Sequence, residues 1–303
     1  MILFTPENLF FFLNILFNSL IVGGILSTVA VGLTLVMGVL RILNLPHGEI
    51  LIVGFYVSYI LFSQFGVDPF ATIPLSFITC LLVGGGIYYL MRKVSARSKS
   101  TAVGTGIYQI LYFMGVSSLI QNLVVILFSV TPRSINPSYG LNILSIGPFG
   151  VSYARFACFI FSLFSLIVLY VIFTKTYFGV AVRSVIEDAD AASIMGANVN
   201  KLVGIVYVLG CALAGVSGSL LGMVYIFNPY SGMTLLFTVI SVIVLSGMGS
   251  RGIAGTFIGS FIIALIANLS NTFLTPGLVQ ASTYTLLLVL LILFPKGFGG
   301  GRA

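Results

Sequence analysis

Residues 9–40 read LFFFLNILFNSLIVGGILSTVAVGLTLVMGVL, an apolar run that contains no charged side chain. As one helix, this run would be about 50 Å long, which exceeds the hydrocarbon core of a bilayer. It is also much longer than the apolar core of a secretory signal peptide. The run therefore predicts a retained membrane-spanning helix that is strongly tilted or begins in the interfacial region.

The rest of the chain repeats this pattern, with apolar runs separated by short polar connections. The further runs lie at 47–65, 70–91, 104–130, 153–174, 202–226, 233–248, 253–269 and 278–295. They predict an all-α, polytopic membrane protein with eight or nine spanning or half-spanning helices. We expect residues 1–303 to form a single transmembrane domain. The stretch 244–260 fits either two crossings or a pair of half-helices.

The composition excludes a sizeable soluble domain, because 59% of the 303 residues are hydrophobic and only 6% are charged. Soluble domains carry about 25% charged residues. The net charge of +7 comes from basic residues spread singly between the apolar runs, which argues against a nucleic-acid-binding surface. Three scattered cysteines and one histidine predict neither a disulfide framework nor a metal site.

The positions of the basic residues predict the orientation of the chain in the membrane. With nine crossings and the N-terminus outside, only Arg133 and Arg155 of the thirteen basic residues lie on the external side. They flank the loop 131–152, whose prolines and glycines predict irregular structure. Because reversing the chain would invert this distribution, we predict that the N-terminus is outside and the C-terminus is inside.

One apolar run carries small residues at regular intervals. They recur every four positions and are Gly210, Ala214, Gly218 and Gly222. This spacing places them on one face of a helix, where small side chains let a neighbouring helix approach closely. We interpret this face as a packing surface within the chain in preference to a subunit interface.

The segment Asn44-Leu45-Pro46-His47-Gly48-Glu49 interrupts the apolar pattern and contains the chain's one histidine. Asn44 is predicted to cap the following helix, Pro46 suits a first turn, and Glu49 complements the positive end of that helix. A helix start aimed into the membrane would suit an anionic substrate group. The same residues in a cytoplasmic turn would face water, and the sequence leaves both interpretations open.

The connection at 175–201 concentrates acidic residues on the side predicted to be basic. Three of the six acidic residues lie within 187–190. Small residues at 189–192, followed by Gly196, predict a short exposed helix that ends at the glycine. A charged helix of this kind would give a soluble partner a point of contact, although a solvated connector would show the same pattern.

Both segments resemble motifs of ABC importer permeases. Asp190-Ala191-Ala192, followed by Gly196, is similar to the E-A-A-x-x-x-G coupling motif, with Asp in place of Glu. The segment 44–49 is similar to the N-F-A-H-G-E string of the permease subunits of high-affinity branched-chain amino acid ABC importers, of the Liv H type. The resemblance extends over about residues 10–298. Within the 175–201 connection it includes Gly179, Ala181, Arg183, Glu187, Asp188, Ala191, Ala192, Gly196 and Asn198.

The resemblance implies a permease of the bacterial inner membrane that is driven by ATP hydrolysis on other chains. The implied partners are a second, identical or related permease, two cytoplasmic ABC ATPases and an external solute-binding protein. ATP and Mg²⁺ would bind to the ATPases, so this chain is expected to hold no cofactor, metal or catalytic residue. The residues expected to couple it to the ATPases are Arg183, Glu187, Asp188, Asp190, Ala191, Ala192 and Gly196. The candidates for the substrate pathway are Asn44, His47, Glu49 and Asn268.

Departures from the family pattern bear on the cargo more than on the architecture. The string Ser246-Gly247-Met248-Gly249-Ser250 stands where G-G-x-G-S is usual, and Asn268 stands where an acidic residue is common. Urea, short amides or another small polar solute are therefore alternative cargoes. A stand-alone secondary carrier would also fit the composition, but it would leave the coupling motif unexplained and would need more intramembrane acidic residues for an ion relay.

Overall fold

The computed structural model describes residues 6–97, 102–146, 149–247 and 252–293. The predicted apolar runs form helices in these ranges, because lipid offers no hydrogen-bond partners to an open backbone. In chain order the elements are α1 (Pro6–Leu40), α2 (His47–Phe65), α3 (Pro69–Arg97), α4 (Ala102–Phe128), a 3₁₀ helix (Ser138–Leu141), β1 (Ile143–Ile146), β2 (Phe149–Ser152), α5 (Tyr153–Lys175), α6 (Tyr177–Glu187), α7 (Ala189–Ile194), α8 (Val199–Gly222), α9 (Ser231–Leu245), α10 (Gly252–Phe273) and α11 (Pro276–Leu293).

Some residues used in the sequence predictions lie outside the described ranges. They are four of the basic residues predicted to be cytoplasmic (Lys99, Arg251, Lys296 and Arg302), Gly147 and Pro148 of the 131–152 loop, and Met248, Gly249 and Ser250. The geometry of the 244–260 stretch is therefore described only up to Gly247 and from Gly252 onward.

Seven helices within the described ranges are long and apolar enough to cross a membrane, and α9 is a shorter apolar helix. The spanning part of α1 is 31 residues long, Phe10–Leu40, in line with the long first run of the sequence. The protein is thus a multi-pass helical membrane protein. The predicted eight or nine crossings and the predicted orientation stay predictions.

The segment 131–152 is more regular than its prolines and glycines predicted. Strands β1 and β2 pair antiparallel, from Ile143 opposite Ser152 to Ile146 opposite Phe149. The Ser152 hydroxyl donates to the Gly140 carbonyl at 2.7 Å and ties the 3₁₀ helix to this hairpin. The prediction of a wholly irregular loop was wrong, since short strands form readily between turn residues.

The chain divides into two compact units. Their ranges are Met1–Ala30, Asn136–Phe164 and Thr238–Ala303 for the first, and Val31–Ile135 and Ser165–Phe237 for the second. In the first unit, the hydroxyls of Thr28 and Ser162 lie 2.7 Å apart, and Asn268 Nδ2 donates to Ser19 Oγ at 2.9 Å. That residues 1–303 act as one transmembrane domain stays a prediction.

The core of the second unit is built from α2, α3 and α8, which approach one another through small residues. A Cβ added to Gly54 would lie 2.5 Å from Gly215 Cα, and one added to Gly218 would overlap the Leu51 carbonyl. Such close approach admits only small side chains. The buried residues of α8 include the four predicted packing positions, Gly210, Ala214, Gly218 and Gly222.

A cluster of hydroxyl groups joins the same three helices. Thr72 Oγ1 donates to Ser58 Oγ at 2.7 Å, and Ser58 Oγ donates to Ser219 Oγ at 2.7 Å. Ser76 Oγ donates to the Gly54 carbonyl at 3.1 Å. Interhelical hydrogen bonds of this kind hold helices together where burial from lipid gives no driving force. They fix α2 against α8 and so position the start of α2.

Candidate functional site

Helix α2 begins within the second unit, beside α8 and not level with either end of that helix. The two helices run in the same direction: Tyr207 Oη donates to Asn44 Oδ1 at 3.2 Å just before the start of α2, and Ser58 bonds Ser219 farther along. Tyr207 lies about 12 Å along α8 from Val199, where that helix begins. The start of α2 therefore lies within the length of a membrane-spanning helix.

The polar side chains of the segment 44–49 are buried. Asn44 is 0% exposed, His47 1% and Glu49 2%. A cytoplasmic turn facing water would leave these side chains exposed. Their burial supports the other interpretation, a helix start at membrane depth, where ionisable residues are costly and are functional candidates.

The prediction that Asn44 caps α2 was wrong. Pro46 immediately precedes the helix, and no side chain caps its first turn. Backbone groups close the turn instead, since His47 N donates to Asn44 O at 3.1 Å and Ile50 N donates to Pro46 O at 2.8 Å. The Asn44 side chain is turned toward Tyr207, and its Nδ2 is a buried donor without a hydrogen-bond partner among the described residues.

Glu49 lies against the first turn of α9. A Cβ built on Gly232 would be 2.7 Å from Glu49 Oε2, and one built on Gly48 would be 3.1 Å from Leu236 Cβ. Because Gly232 is at the start of α9, the Glu49 carboxylate lies close to the positive ends of two helices, its own and α9. Helix starts of this kind are suited to an anionic group, such as the carboxylate of a ligand.

Asn268, the fourth predicted pathway residue, belongs to the first compact unit, whereas the segment 44–49 belongs to the second. Its amide donates to Ser19. Tyr207 and Gly232 were not predicted as neighbours of the segment 44–49. Nothing in the local sequence of either residue indicates that contact, although Asn228-Pro229 does mark the approach to α9.

Helices α6 and α7, Tyr177–Ile194, form what we call the coupling segment. Asp188 separates the two helices and caps α7, because its Oδ1 accepts from Asp190 N at 2.9 Å and from Ala191 N at 3.0 Å. Gly196 follows with φ +92°, a left-handed conformation that favours glycine. The predicted short helix followed by a glycine is therefore present at Ala189–Ile194.

The coupling segment and the residue after it expose both acidic and large apolar side chains. Glu187 and Asp190 are exposed, as are Ile194 at 86% and Met195 at 89%. Ala192 lies on the buried side. Exposed apolar side chains next to charged ones are typical of a surface that contacts another protein. The acidic residues were predicted as part of a contact point, whereas Ile194 and Met195 were not.

Two other matched residues of this region hold α6 against the preceding helix. Arg183 Nη1 donates to the Phe173 carbonyl near the end of α5. A Cβ added to Gly179 would lie 2.6 Å from Phe173 Cα, so only glycine fits this approach. The side chains of Arg183 and Asp188 thus stabilise the local structure, Arg183 by holding α6 and Asp188 by capping α7. Among the described residues, the side chains of Glu187 and Asp190 take no part in these contacts.

Arg41 joins the coupling segment to the chain that leads into α2. Its Nη2 donates to the Ile186 carbonyl at 3.1 Å and, more weakly, to the Glu187 carbonyl at 3.4 Å. The Arg41 backbone has φ 56°, a left-handed conformation that costs a non-glycine residue roughly 1–2 kcal/mol. From the sequence, Arg41 is one of the eleven basic residues predicted to lie on the cytoplasmic side.

The chain is similar to known permeases over nearly its whole length. A family model described as "Branched-chain amino acid transport system / permease component" matches residues 15–295. The high-affinity branched-chain amino acid transport system permease protein LivH of Escherichia coli is 25% identical, with 97% of each chain covered. The permease protein BraD of Pseudomonas aeruginosa is also 25% identical, with 97% of each chain covered. The probable branched-chain amino acid transport permease protein LivH of Methanocaldococcus jannaschii is 27% identical over 94% of this chain and 92% of its own. No solved structure matches the chain.

Proposed function

Because this chain belongs to the family of branched-chain amino acid transport system permease components, we propose that it forms the membrane pathway for branched-chain or related amino acids. It is a multi-pass inner-membrane permease, and its family implies that it works with other subunits of an ABC transporter. In the proposal these are a second permease, two cytoplasmic ATPases that bind ATP and Mg²⁺, and an external solute-binding protein. The chain itself carries out no hydrolysis.

The observation that carries the proposal is the buried polar start of α2. An amino acid presents an ammonium and a carboxylate, and both have a complement here. Glu49 offers a carboxylate to the ammonium group, while the helix starts of α2 and α9 and the Nδ2 donor of Asn44 suit the carboxylate. Glu49 would have to move away from Gly232 to release these groups, so the pathway would open by a displacement of α2 relative to the start of α9.

The first test is Glu49→Gln in the assembled transporter in proteoliposomes. The amide keeps the size of the side chain but cannot pair as an anion with an ammonium group, so initial uptake of labelled leucine should fall about tenfold or more. Asp68→Asn is the matched control, because Asp68 is an exposed carboxylate at the start of α3. If the Glu49→Gln protein kept the wild-type uptake rate and apparent affinity, a role of Glu49 in the pathway would be contradicted.

The second test concerns the coupling segment. ATP acts on the membrane helices only by favouring one of their arrangements over another. The exposed Glu187 and Asp190 would provide the electrostatic contact with the ATPases. Replacing both with Ala should lower substrate-stimulated ATP hydrolysis, whereas Ser193→Ala, an uncharged change on the same exposed helix, should not. Unchanged stimulation in the assembled double variant would contradict this contact.

Competition experiments decide the cargo. Valine and isoleucine should displace labelled leucine, while urea and short amides should not. Displacement by amides alone would overturn the amino acid assignment and leave the permease assignment standing. Uptake without any ATPase, driven by an ion gradient, would support a stand-alone carrier instead.

A further inference from the structure

We propose that Arg41 is the positioning residue that transmits movement of the coupling segment to the buried start of α2. This inference rests on the proposed function, because it assumes that ATPases move the coupling segment. It adds a specific route by which that movement reaches the segment 44–49.

The first part of the route is the hydrogen bonding at the end of α6. Ile186 and Glu187 are its last residues, and carbonyls at a helix C-terminus lack intrahelical donors and carry partial negative charge. Arg41 Nη2 donates to these two carbonyls at 3.1 and 3.4 Å. Asp188, which caps α7, follows directly. The guanidinium therefore binds the junction between α6 and α7.

The second part is the end of α1. Arg41 N donates to Met37 O at 2.8 Å and ends that helix in a left-handed conformation, φ 56°. Glycine is the usual residue at such a position. A strained arginine persists only where its surroundings hold it, and strain of this kind is concentrated at switch regions. The Ile186 side chain lies beside the same helix end, because a Cβ added to Gly38 would be 3.4 Å from Ile186 Cδ1.

The third part is the short connection into the site. Ile42 and Leu43 alone separate Arg41 from Asn44. Each residue spans at most about 3.6 Å, so this connection has little slack to absorb a displacement of Arg41. Asn44 is held by Tyr207, and a Cβ on Gly32 of α1 would lie 3.7 Å from His47 Cε1. Movement of the α6–α7 junction thus reaches the start of α2 through one side chain and two residues of backbone.

Three variants distinguish the effect of the Arg41 guanidinium from the effect of the left-handed backbone at that position. Arg41→Gly keeps the left-handed backbone without strain and removes the side chain. Arg41→Lys keeps the charge but loses the planar set of donors. Arg155→Ala, which removes an exposed arginine in the first turn of α5, is the matched control.

Uptake and ATP hydrolysis are measured together in proteoliposomes containing the full transporter. Arg41→Gly should lower leucine uptake at least about fivefold while ATP hydrolysis without substrate stays close to wild type. Arg41→Lys should be intermediate, and Arg155→Ala should match wild type in both measurements. Wild-type uptake per ATP hydrolysed in the Arg41→Gly transporter would overturn the proposal.

Hydrogen exchange on the purified complex supplies a readout that does not depend on transport. The Asp188 and Ala192 amides donate within the coupling segment, and Arg41→Gly should speed their exchange while leaving α8 unchanged. Two results together would support the role of Arg41 and contradict the proposed function. These are faster exchange in the Arg41→Gly transporter and, in the wild-type transporter, ATP hydrolysis that does not respond to substrate. Unchanged exchange at these amides would overturn the link whatever the transport activity.

Discussion

The start of α2 and the coupling segment both concentrate polar residues in an apolar chain, yet they use them in opposite ways. Asn44, His47 and Glu49 are at most 2% exposed and are surrounded by other helices. The coupling segment is held by the Asp188 cap and by the hydrogen bonds of Arg183 and Arg41, and it exposes Ile194 at 86%. Substitutions near the first should therefore act through packing within the chain, and those in the second through contacts with other subunits.

The largest expected difference concerns Gly48→Ala and Gly196→Ala. A Cβ at Gly48 would overlap the Gly232 carbonyl and lie 3.1 Å from Leu236 Cβ, so the change should cost about 3 kcal/mol and abolish uptake. A Cβ at Gly196 meets nothing within 4 Å, and only its φ of +92° opposes alanine, at about 1–2 kcal/mol. Thermal unfolding in detergent is followed with a thiol-reactive dye, because Cys80, Cys158 and Cys211 are buried.

Gly86→Ala controls for the substitution itself, because a Cβ there also meets nothing within 4 Å and Gly86 lies inside α3. It should leave the unfolding temperature unchanged or raise it slightly, since alanine favours a helix. Equal losses of stability for Gly48→Ala and Gly196→Ala would mean that the start of α2 is not tightly packed.

The helices were predictable because they depend on local composition, whereas the depth of α2 was not. Each apolar run satisfies its own backbone as a helix, so its position can be located from the sequence alone. The depth of the segment 44–49 depends on contacts with residues such as Tyr207, far away in sequence. Asn44 illustrates the difference: its type and position indicated a cap, but a phenol from another helix determines its orientation.

The coupling segment was better predicted because its features are local. Asp188 and Gly196 act on backbone groups within a few residues, so a sequence signal suffices for both. The contact between Arg41 and Ile186 is the exception, since nothing near either residue in the sequence indicates the other.

A smaller effect is expected when the cap of α7 is removed. Asp188→Ala deletes the acceptor for the Asp190 and Ala191 amides and should cost about 0.5–2 kcal/mol of local stability, with lower substrate-stimulated ATP hydrolysis. Asp188→Asn keeps an acceptor oxygen and should remain near wild type. Equal losses in both variants would show instead that the charge at 188 contacts the ATPases, which would extend the partner surface into the cap.

The smallest effect is expected for Tyr207→Phe, which removes one hydroxyl that donates to Asn44 and lies beside the Cys211 thiol. Hydrogen bonds between membrane helices contribute about 0.6 kcal/mol on average, so the unfolding temperature should fall only slightly. Tyr112→Phe is the matched control, because the Tyr112 hydroxyl donates to the Ile87 carbonyl at 2.8 Å, in a contact that does not involve the segment 44–49. If Asn44 contributes to the pathway, only Tyr207→Phe should also raise the apparent KM for leucine, since it releases the amide that faces the cargo. The same apparent KM in both variants would show that the orientation of Asn44 matters for packing alone.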